Sequence, residues 1–247
     1  MAQRRRIDDA PGQEADRTIS GVTGRTPAAV AGDESHGAVA GAEVGVGPWP
    51  GGPDTWPDDP RLDPDLLAHG DRRNVLDHYR YWTVAAIVAD LDTRRLPLHI
   101  AVENLAHDLN IGSIVRTANA FNLAGVHVVG RRRWNRRGAM VTDRYLSVHH
   151  HPDVPAFAAA ARAAGREVVG VDLVPGSVPV EAATMPRDAV LVFGQESTGL
   201  SEAMRAECSR IVHVTQYGST RSMNVAAAAA IVMHRWVTAW GPGPAGP

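Results

Sequence analysis

Three short polar segments of the sequence carry side chains that could bind a ligand or take part in a reaction. They are "HDLNIGSIVRTANAF" (107–121), "GQESTGLS" (194–201) and "QYGSTRSMN" (216–224). Together they offer a cation, an anion and neutral hydrogen-bonding groups, from which polar binding sites are built. All 25 basic residues of the chain are arginine, which excludes a phosphate loop, a Schiff base or a general base that depends on lysine.

The first segment places Arg116 six residues after Asn110. Ile114, Ala118 and Phe121 are spaced like the buried stripe of a helix, so Arg116 faces away from that stripe and lies in the predicted first turn. A cation at this end of a helix is disfavoured by roughly a few tenths of a kcal/mol unless an anion compensates. Arg116 is therefore either a surface arginine paired with an acid or a residue that meets an anionic ligand.

The second segment holds Glu196 in a turn between Gly194 and Gly199. The turn lacks the Lys-Ser/Thr ending of a phosphate-binding loop, and a carboxylate suits a cationic or hydroxyl partner better than a phosphate. In the structural alternative, Glu196 only caps the short helix that is predicted to begin near Ser201.

The third segment is polar from Gly218 to Asn224 and is followed by five alanines at 226–230. In one interpretation, Ser219 or Ser222 caps a helix built from the best helix former. In the other, the segment is a binding loop with free backbone N–H groups, and the small residues allow another backbone to approach closely.

A further segment, "RRRWNRRG" (131–138), contains five arginines in eight residues and no acid. Arginines can neutralise phosphates and an aromatic ring can stack on a base, so the composition favours a contact with single-stranded RNA over a solvated charged loop. The predicted RNA-binding residues are Arg131, Arg132, Arg133, Trp134, Arg136 and Arg137.

Alternating strands and helices surround these segments. Apolar runs predict strands at 98–104, 126–130, 167–173, 189–194 and 211–215, and helical patterns predict helices at 113–123, 155–164, 201–207 and the C-terminus. This alternation is typical of an α/β protein with a mainly parallel sheet flanked by helices. Ligands of such sheets bind beyond the carboxyl ends of the strands, and each of the three polar segments follows a predicted strand.

Residues 1–60 differ in composition from the rest. They hold 10 of the 24 glycines and 7 of the 17 prolines and carry a net charge of −5, whereas residues 61–247 carry +3. This predicts a disordered acidic tail at 1–60, a helical extension at 61–97 with a helix at 74–92, the main domain at 98–240 and a disordered end at 241–247. The mildly positive folded part is compatible with a polyanionic partner.

Several kinds of site and setting are disfavoured by the residues present. A single cysteine, Cys208, excludes a disulfide framework and a multi-cysteine metal site and favours a reduced, cytoplasmic location. The histidines at 149–151, placed in a loop, have no supporting acid or cysteine pattern, so no metal is expected. The N-terminus lacks the apolar stretch of a secretory signal, and the longest apolar run, 225–233, is too short to span a bilayer.

Residues 98–240 resemble the SpoU-type RNA ribose 2′-O-methyltransferases of the SPOUT superfamily. "NIGSIVRTANAF", "VFGQESTGLS" and "VTQYGSTRSMNVAAAAAI" are similar, in this order, to the three motifs of that family. Met223 stands for the usual leucine, Thr215 for proline, and alanines follow Asn224 where serine and valine are common, which changes packing more than chemistry. Arg221 makes the third motif most similar to that of the tRNA guanosine-2′-O-methylating branch.

The resemblance implies a C-terminal trefoil knot, a homodimer, and methyl transfer from S-adenosylmethionine to a ribose 2′-hydroxyl of RNA, with tRNA favoured over ribosomal RNA. The alanine run would let the last helix pack closely against the knot and the partner subunit. The residues implied in catalysis are Arg116, Asn110, Ser222, Asn224 and Glu196. Those implied in cofactor binding are Phe193, Gly194, Glu196, Gly199, Leu200, Val212, Val214, Gln216, Ser222, Met223 and Asn224.

In that family the arginine of the first motif, matched here by Arg116, handles the proton of the ribose hydroxyl. A free guanidinium has a pKa above about 12, so two roles stay open: a base perturbed by substrate phosphate, or a cation that stabilises the developing oxyanion. Three other functions also stay open for the domain: ribosomal RNA 2′-O-methylation, base methylation, and RNA binding without catalysis.

Overall fold

The computed structural model describes residues 45–104, 110–195 and 198–243 of the chain. Its strands are β1 (Leu96–Asn104), β2 (Leu123–Gly130), β3 (Val148–His151), β4 (Glu167–Val171), β5 (Val178–Pro179), β6 (Ala189–Phe193) and β7 (Arg210–His213). Its α-helices are α1 (Pro64–His69), α2 (Val84–Asp92), α3 (Asn110–Ala120), α4 (Val154–Ala163), α5 (Glu202–Glu207) and α6 (Val225–Trp240). Short 3₁₀ turns lie at Pro53–Thr55, Asp77–Tyr79, Arg136–Ala139 and Thr142–Tyr145.

The seven strands form one sheet in the order β3-β2-β1-β6-β4-β7-β5, and every pairing in it is parallel. In its centre, Ile100 of β1 pairs with Val126 of β2 and with Leu191 of β6. The predicted parallel α/β architecture is confirmed. Strands β3 and β5 were not predicted, and the histidines at 149–151 lie in β3 rather than in a loop.

Both faces of the sheet are covered by helices. On one face, alternate β1 side chains such as Ile100 pack against apolar residues of α3 and α6, including Ile114 and Trp236. On the other face, Ala101 packs with Phe157 of α4 and Met204 of α5. Covering both faces explains the nearly continuous apolar runs of β1 and β6, because a strand in such a sheet has no solvent-facing side.

The predicted helix at 74–92 is wrong over its first half. Tyr81 has a positive φ of 63°, which a helix interior does not accept. The helix α2 begins only at Val84, where the hydroxyl of Thr83 accepts a hydrogen bond from the N–H of Ala86 at 3.1 Å. Before that point the chain turns sharply so that Tyr79 joins a small core with Ile87 and Tyr145.

Residues 45–60, predicted to be disordered, are held by tertiary contacts. Val46 and Asp71 exchange two backbone hydrogen bonds of 2.9 Å, and the N–H of Trp49 donates to the carbonyl of Leu67. The ring of Trp49 meets that of Tyr81 edge to face at 5.5 Å. Composition predicts disorder from the lack of a local apolar pattern, but here the apolar partners come from later in the chain. Residues 1–44 and 244–247 lie outside the described residues.

The described helices are all too short or too polar to cross a bilayer.

Candidate active site

A side-chain hydrogen bond joins the first and third polar segments. The Nδ2 of Asn224 donates to the Oδ1 of Asn110 at 2.9 Å, across 114 positions of sequence. Asn110 is the first residue of α3, and Asn224 immediately precedes α6. The starts of these two helices, which pack on the same face of the sheet, therefore meet at the site.

Asn224 is also the cap of α6. Its Oδ1 accepts the N–H groups of Ala226 and Ala227 at 2.9 and 3.2 Å. The prediction that Ser219 or Ser222 caps this helix is wrong, because the helix begins at Val225 and the carbonyl of an asparagine side chain reaches its first free N–H groups. Ser222 stays exposed beside the cavity described below.

Arg116 lies in the middle of α3, because the helix begins at Asn110 rather than near Ser113. Its predicted place in the first turn is therefore wrong, and the argument from the helix dipole does not apply to it. The side chain is exposed, and its Nη1 lies 2.9 Å from the sulfur of Met140. Within the described residues it forms no salt bridge with an acid, so its charge remains available for an anionic ligand.

The arginine cluster 131–138 is docked on the same helix by two glycines. A Cβ on Gly112 of α3 would lie 2.7 Å from the backbone nitrogen of Ala139 and 2.8 Å from the Cα of Gly138. No side chain fits in this contact, so the 3₁₀ turn at 136–139 sits directly on the α3 backbone. The cluster is thereby held next to the helix that carries Asn110 and Arg116.

The five arginines of the cluster are exposed, which fits both a nucleic-acid contact and a solvated charged loop. Trp134 is instead half-buried against the main core, and the guanidinium of Arg136 lies 5.6 Å from its ring centre. The buried Asn104 at the end of β1 donates to the carbonyls of Arg131 and Arg133 at 2.6 and 3.0 Å. Trp134 and Asn104 anchor the loop, whereas the arginines project from it.

A cavity of about 330 Å³ opens beside Asn224 at the carboxyl ends of three strands. Its walls come from residues after β4, after β6 and after β7, with additional contacts from α5 and α6. The predicted ligand-binding residues that line it are Gly194, Gly199, Val214, Gln216, Ser222 and Met223. This volume lies within the range of pockets that bind small molecules, and this is the place where open α/β sheets bind ligands.

The loop after β6 folds back tightly over this cavity. Gln195 and Gly199 exchange two backbone hydrogen bonds of 3.0 and 2.9 Å, and Gly199 has a positive φ of 68°. A Cβ on Gly194 would lie 2.1 Å from the carbonyl carbon of Gly199. Glycine is required at both positions, so the wall of the cavity here is bare backbone. Glu196 lies outside the described residues.

Three predicted cofactor residues are core residues by their side chains. They are Phe193, Leu200 and Val212. Each is at most 1% exposed and packs in one of the two apolar cores that flank the sheet. Their side chains are absent from the described lining of the cavity.

Sequence reasoning missed Asp172, which lines the cavity directly after β4. Its carboxylate accepts the N–H of Leu200 at 2.9 Å and lies against Gly199. Leu173, Val174 and Arg205 also line the cavity and were not predicted. Asp172 was missed because the predicted strand ran to residue 173 and placed it inside the strand, whereas β4 ends at Val171.

On the opposite face of the sheet, three histidines form a hydrogen-bonded chain. The Nδ1 of His99 lies 2.9 Å from the Nε2 of His127, whose Nδ1 lies 2.8 Å from the Nε2 of His151. Burial, with smaller effects of neighbouring Arg166 and histidines, lowers the pKa of His99 to about 4 and that of His127 to about 3. The described residues contain no group of three or more His, Cys, Asp or Glu arranged to hold a metal ion.

The parallel sheet, with polar loops gathered around a cavity at its carboxyl edge, defines an α/β protein with a candidate ligand site. The chain belongs to the SpoU rRNA methylase family, whose sequence model matches residues 97–234. The resemblance read from the three motifs is thereby confirmed.

Curated relatives are similar over much of the chain. A tRNA (guanosine(18)-2′-O)-methyltransferase from Borreliella burgdorferi is 26% identical over 153 residues, which cover 61% of this chain and 70% of the relative. An uncharacterized tRNA/rRNA methyltransferase from Mycolicibacterium vanbaalenii is 29% identical over 191 residues, covering 70% of this chain and 58% of the relative.

Solved structures show a related fold. The SpoU methyltransferase AviRb from Streptomyces viridochromogenes, in complex with the cofactor AdoMet, is 28% identical, with a TM-score of 0.53 over 61% of this chain and 60% of that one. The AdoMet-bound rRNA methyltransferase from Sinorhizobium meliloti is 25% identical, with a TM-score of 0.53 over 60% of each chain. The chain thus spans about three fifths of the length of both structures.

Proposed function

We propose that this protein transfers a methyl group from S-adenosylmethionine to a ribose 2′-hydroxyl of RNA, and that the RNA is a tRNA. The observation that carries this proposal is the hydrogen bond between Asn224 and Asn110. It brings the first motif, which bears Arg116, to the third motif, which lines the cavity. A cofactor in the cavity and a ribose beside Arg116 would then be neighbours.

The cavity fits the proposed cofactor in its chemistry. Apolar side chains such as Leu173 and Val214 suit an adenine ring, and Arg205 and Arg221 suit a carboxylate. The bare backbone of Gly194 and Gly199 provides a wall that a ligand can approach closely. Gln216 and Ser222 add hydrogen-bonding groups, and Phe193, Leu200 and Val212 would contribute only through their backbone. S-adenosylmethionine supplies an electrophilic methyl group on a sulfonium when it is bound.

Arg116 is the residue that handles the nucleophile. The hydroxyl must lose its proton as it attacks, and an exposed guanidinium with no salt bridge among the described residues can bind the adjacent phosphate and the developing oxyanion. Asn110, held by Asn224, orients the ribose or Arg116, and Ser222 binds cofactor or substrate. Glu196 belongs to the same proposed catalytic set. Much of the rate enhancement would come from holding the nucleophilic oxygen, the methyl carbon and the leaving sulfur in line.

The arginine cluster would bind the RNA. The five arginines are exposed, their loop is docked on the helix that carries Arg116, and they can neutralise phosphates on either side of the target nucleotide. Two considerations favour tRNA over ribosomal RNA: the third motif with Arg221, and curated relatives named as tRNA 2′-O-methyltransferases.

Three further features belong to the proposal. The C-terminal segment forms a trefoil knot, supported by the tightly folded loop after β6 and by α6 packing on α3. The protein is a homodimer, supported by the exposed apolar side chains Ile231 and Trp240 on α6. It acts in the cytoplasm without a metal ion. The predicted division into a tail, an extension at 61–97 and a main domain remains part of the proposal, except that residues 45–60 pack against the extension.

The test is to incubate the purified protein with tritiated S-adenosylmethionine and separate pools of unmodified tRNA and ribosomal RNA, and then to digest labelled RNA to nucleosides. Label in a 2′-O-methylnucleoside from tRNA is the expected result. Label in ribosomal RNA would show that the substrate is ribosomal RNA rather than tRNA. Label in a methylated base would show that the enzyme methylates a base rather than the ribose. Absence of both label and cofactor binding by calorimetry would favour an RNA-binding module without catalysis.

A further inference from the structure

The turn that touches Arg116 has an unusual backbone. Met140 and the β-branched Val141 both have left-handed conformations, with φ of 46° and 68°. Valine rarely adopts this conformation, because its branched Cβ meets the backbone. Such strain persists only where the surrounding structure imposes it, and it is concentrated at functional sites.

The surroundings of this turn do impose it. The flanking residues Ala139 and Thr142 are buried, and the hydroxyl of Thr142 donates to the carbonyl of Ala139 at 2.6 Å. The contact of Gly112 with Gly138 and Ala139 fixes the turn on α3. The strain does not serve to bury the two strained side chains, because Met140 and Val141 are themselves 51% and 52% exposed.

The turn holds the sulfur of Met140 against the guanidinium of Arg116. A thioether is a soft, weak acceptor that contacts the cation without neutralising it. A carboxylate at the same place would form a strong charge-assisted pair, which would have to break before Arg116 could bind a phosphate or an oxyanion. The nearby Asp143 is 3.4 Å from Arg136 in a separate ion pair.

We infer that Met140 is a positioning residue for Arg116: its strained turn supports the guanidinium beside the ribose site while leaving its full charge for the RNA. This inference rests on the proposed function. It predicts that the neutrality of the side chain at position 140 matters for turnover more than its detailed shape.

The experiment compares Met140→Leu, Met140→Gln and Met140→Glu with the matched control Val141→Glu in the full chain. The control adds the same charge one residue away, at an equally exposed position without a contact to Arg116. We measure kcat and KM for RNA, the Kd of S-adenosylmethionine, and Tm. Because the position is exposed, Tm and cofactor affinity should stay close to wild type in all four variants.

Met140→Glu is expected to lower kcat at least about tenfold at saturating RNA, which is less than the roughly hundredfold loss expected from removing an oxyanion donor outright, because Arg116 is paired rather than removed. The Leu and Gln variants should stay within about threefold of wild type, and Val141→Glu should mainly raise KM through repulsion of phosphates. Equal kcat for the two Glu variants, or a loss in Met140→Leu as large as in Met140→Glu, would overturn the inference. Failure of the wild-type protein to methylate RNA would instead overturn the proposed function.

Discussion

Arg116 is exposed and contacts a neutral sulfur, and among the described residues it has no salt bridge with an acid. Arg162, by contrast, pairs with Glu207 at 2.6 Å. A guanidinium that stays free of acids keeps its affinity for phosphate and for a developing oxyanion. Under the proposed function, this affinity serves ligand binding, since an exposed contact with one sulfur adds little to folding stability.

Replacing Arg116 with alanine is expected to reduce single-turnover methylation at least about a hundredfold, the loss typical of removing one oxyanion donor. Calorimetry should show nearly unchanged binding of S-adenosylmethionine, because the cavity is lined by other residues. Arg162→Ala, on the opposite face of the sheet, serves as the control for loss of a surface arginine. A near-normal rate in the Arg116 variant would remove this residue from the mechanism.

Asn224 has two roles that substitutions can separate. Its Oδ1 caps α6, whereas its Nδ2 holds Asn110. Asn224→Asp keeps the capping oxygen and loses the donor, so it should keep Tm close to wild type and lose activity. Asn224→Ala should lose activity and also about 1 kcal/mol of stability, which corresponds to about 2–4 °C in Tm. Thermal unfolding and methylation rates measured together check both outcomes, and an active Asn224→Asp enzyme would show that the link to Asn110 is dispensable.

At the scale of elements, the arginine cluster is a charged loop on a rigid base. Changing Arg132, Arg133 and Arg137 to glutamine should weaken RNA binding and flatten its dependence on salt. Each lost phosphate contact lowers the slope of log K against log salt by about 0.7 to 0.9. Fluorescence anisotropy with labelled RNA between low and physiological salt measures this slope. If it does not change, these arginines form a solvated loop and the RNA binds elsewhere.

The three hydrogen-bonded histidines of β1, β2 and β3 are expected to make the fold less stable in acid. The pKa values of His99, His127 and His151 are lowered in the folded protein, chiefly by burial, so the unfolded chain binds more protons once the pH falls below about 6.5. The stability that these neutral histidines contribute is complete above that pH and is lost as the pH falls toward 4. For each histidine that is protonated only in the unfolded chain, the free energy of unfolding falls by at most about 1.4 kcal/mol per pH unit.

Urea unfolding at pH 7.5, 6 and 5 tests this expectation. The free energy of unfolding should fall across the series in the wild type and fall less steeply in His127→Gln, which removes the central titrating group. The control is His69→Gln, because His69 is exposed, lies in α1 and is not one of the three hydrogen-bonded histidines. Equal slopes in the wild type and in His127→Gln would assign the acid sensitivity to other groups.

The elements differ in how far the sequence predicts them, for physical reasons. Central strands such as β6 were predicted because strands buried on both faces must be apolar throughout. Strand β3 was missed because "VHHH" at an edge carries no such signal. The interrupted helix before α2 was missed because a single left-handed residue, Tyr81, ended it without a glycine or proline to mark the break.

The site was predictable in its motifs but not in its contacts. The positions of Asn110, Arg116 and Asn224 follow from segments placed after strands, whereas the bond between the two asparagines depends on tertiary packing over 114 positions. The same limit explains why Met140 was missed. It belongs to no local pattern, and it matters only because another segment is brought against it.

At the scale of the whole molecule, the family match begins at residue 97, yet residues 45–95 are integral to the fold. Arg95 donates to the carbonyl of Tyr145 at 2.8 Å, and the side-chain amide of Asn122 donates to that of Leu91 at 3.2 Å. Tyr145, which packs with Tyr79 and Ile87, ends the 3₁₀ turn that follows the Met140 turn. Residues 45–95 therefore hold the 3₁₀ turn that follows Met140 and Val141.

Two truncations test this support. A chain starting at residue 45 retains every described contact of the fold and should keep the wild-type Tm and methylation rate. A chain starting at residue 97 exposes Tyr145 and loses the Arg95 contacts, at about 1.5–3 kcal/mol for each apolar side chain that is uncovered, so Tm should fall by about 10 °C. Because the turn at 142–145 would loosen, kcat should fall more than the affinity for S-adenosylmethionine. Equal behaviour of the two truncated chains would show that residues 45–96 are an accessory segment and that the matched family domain is sufficient alone.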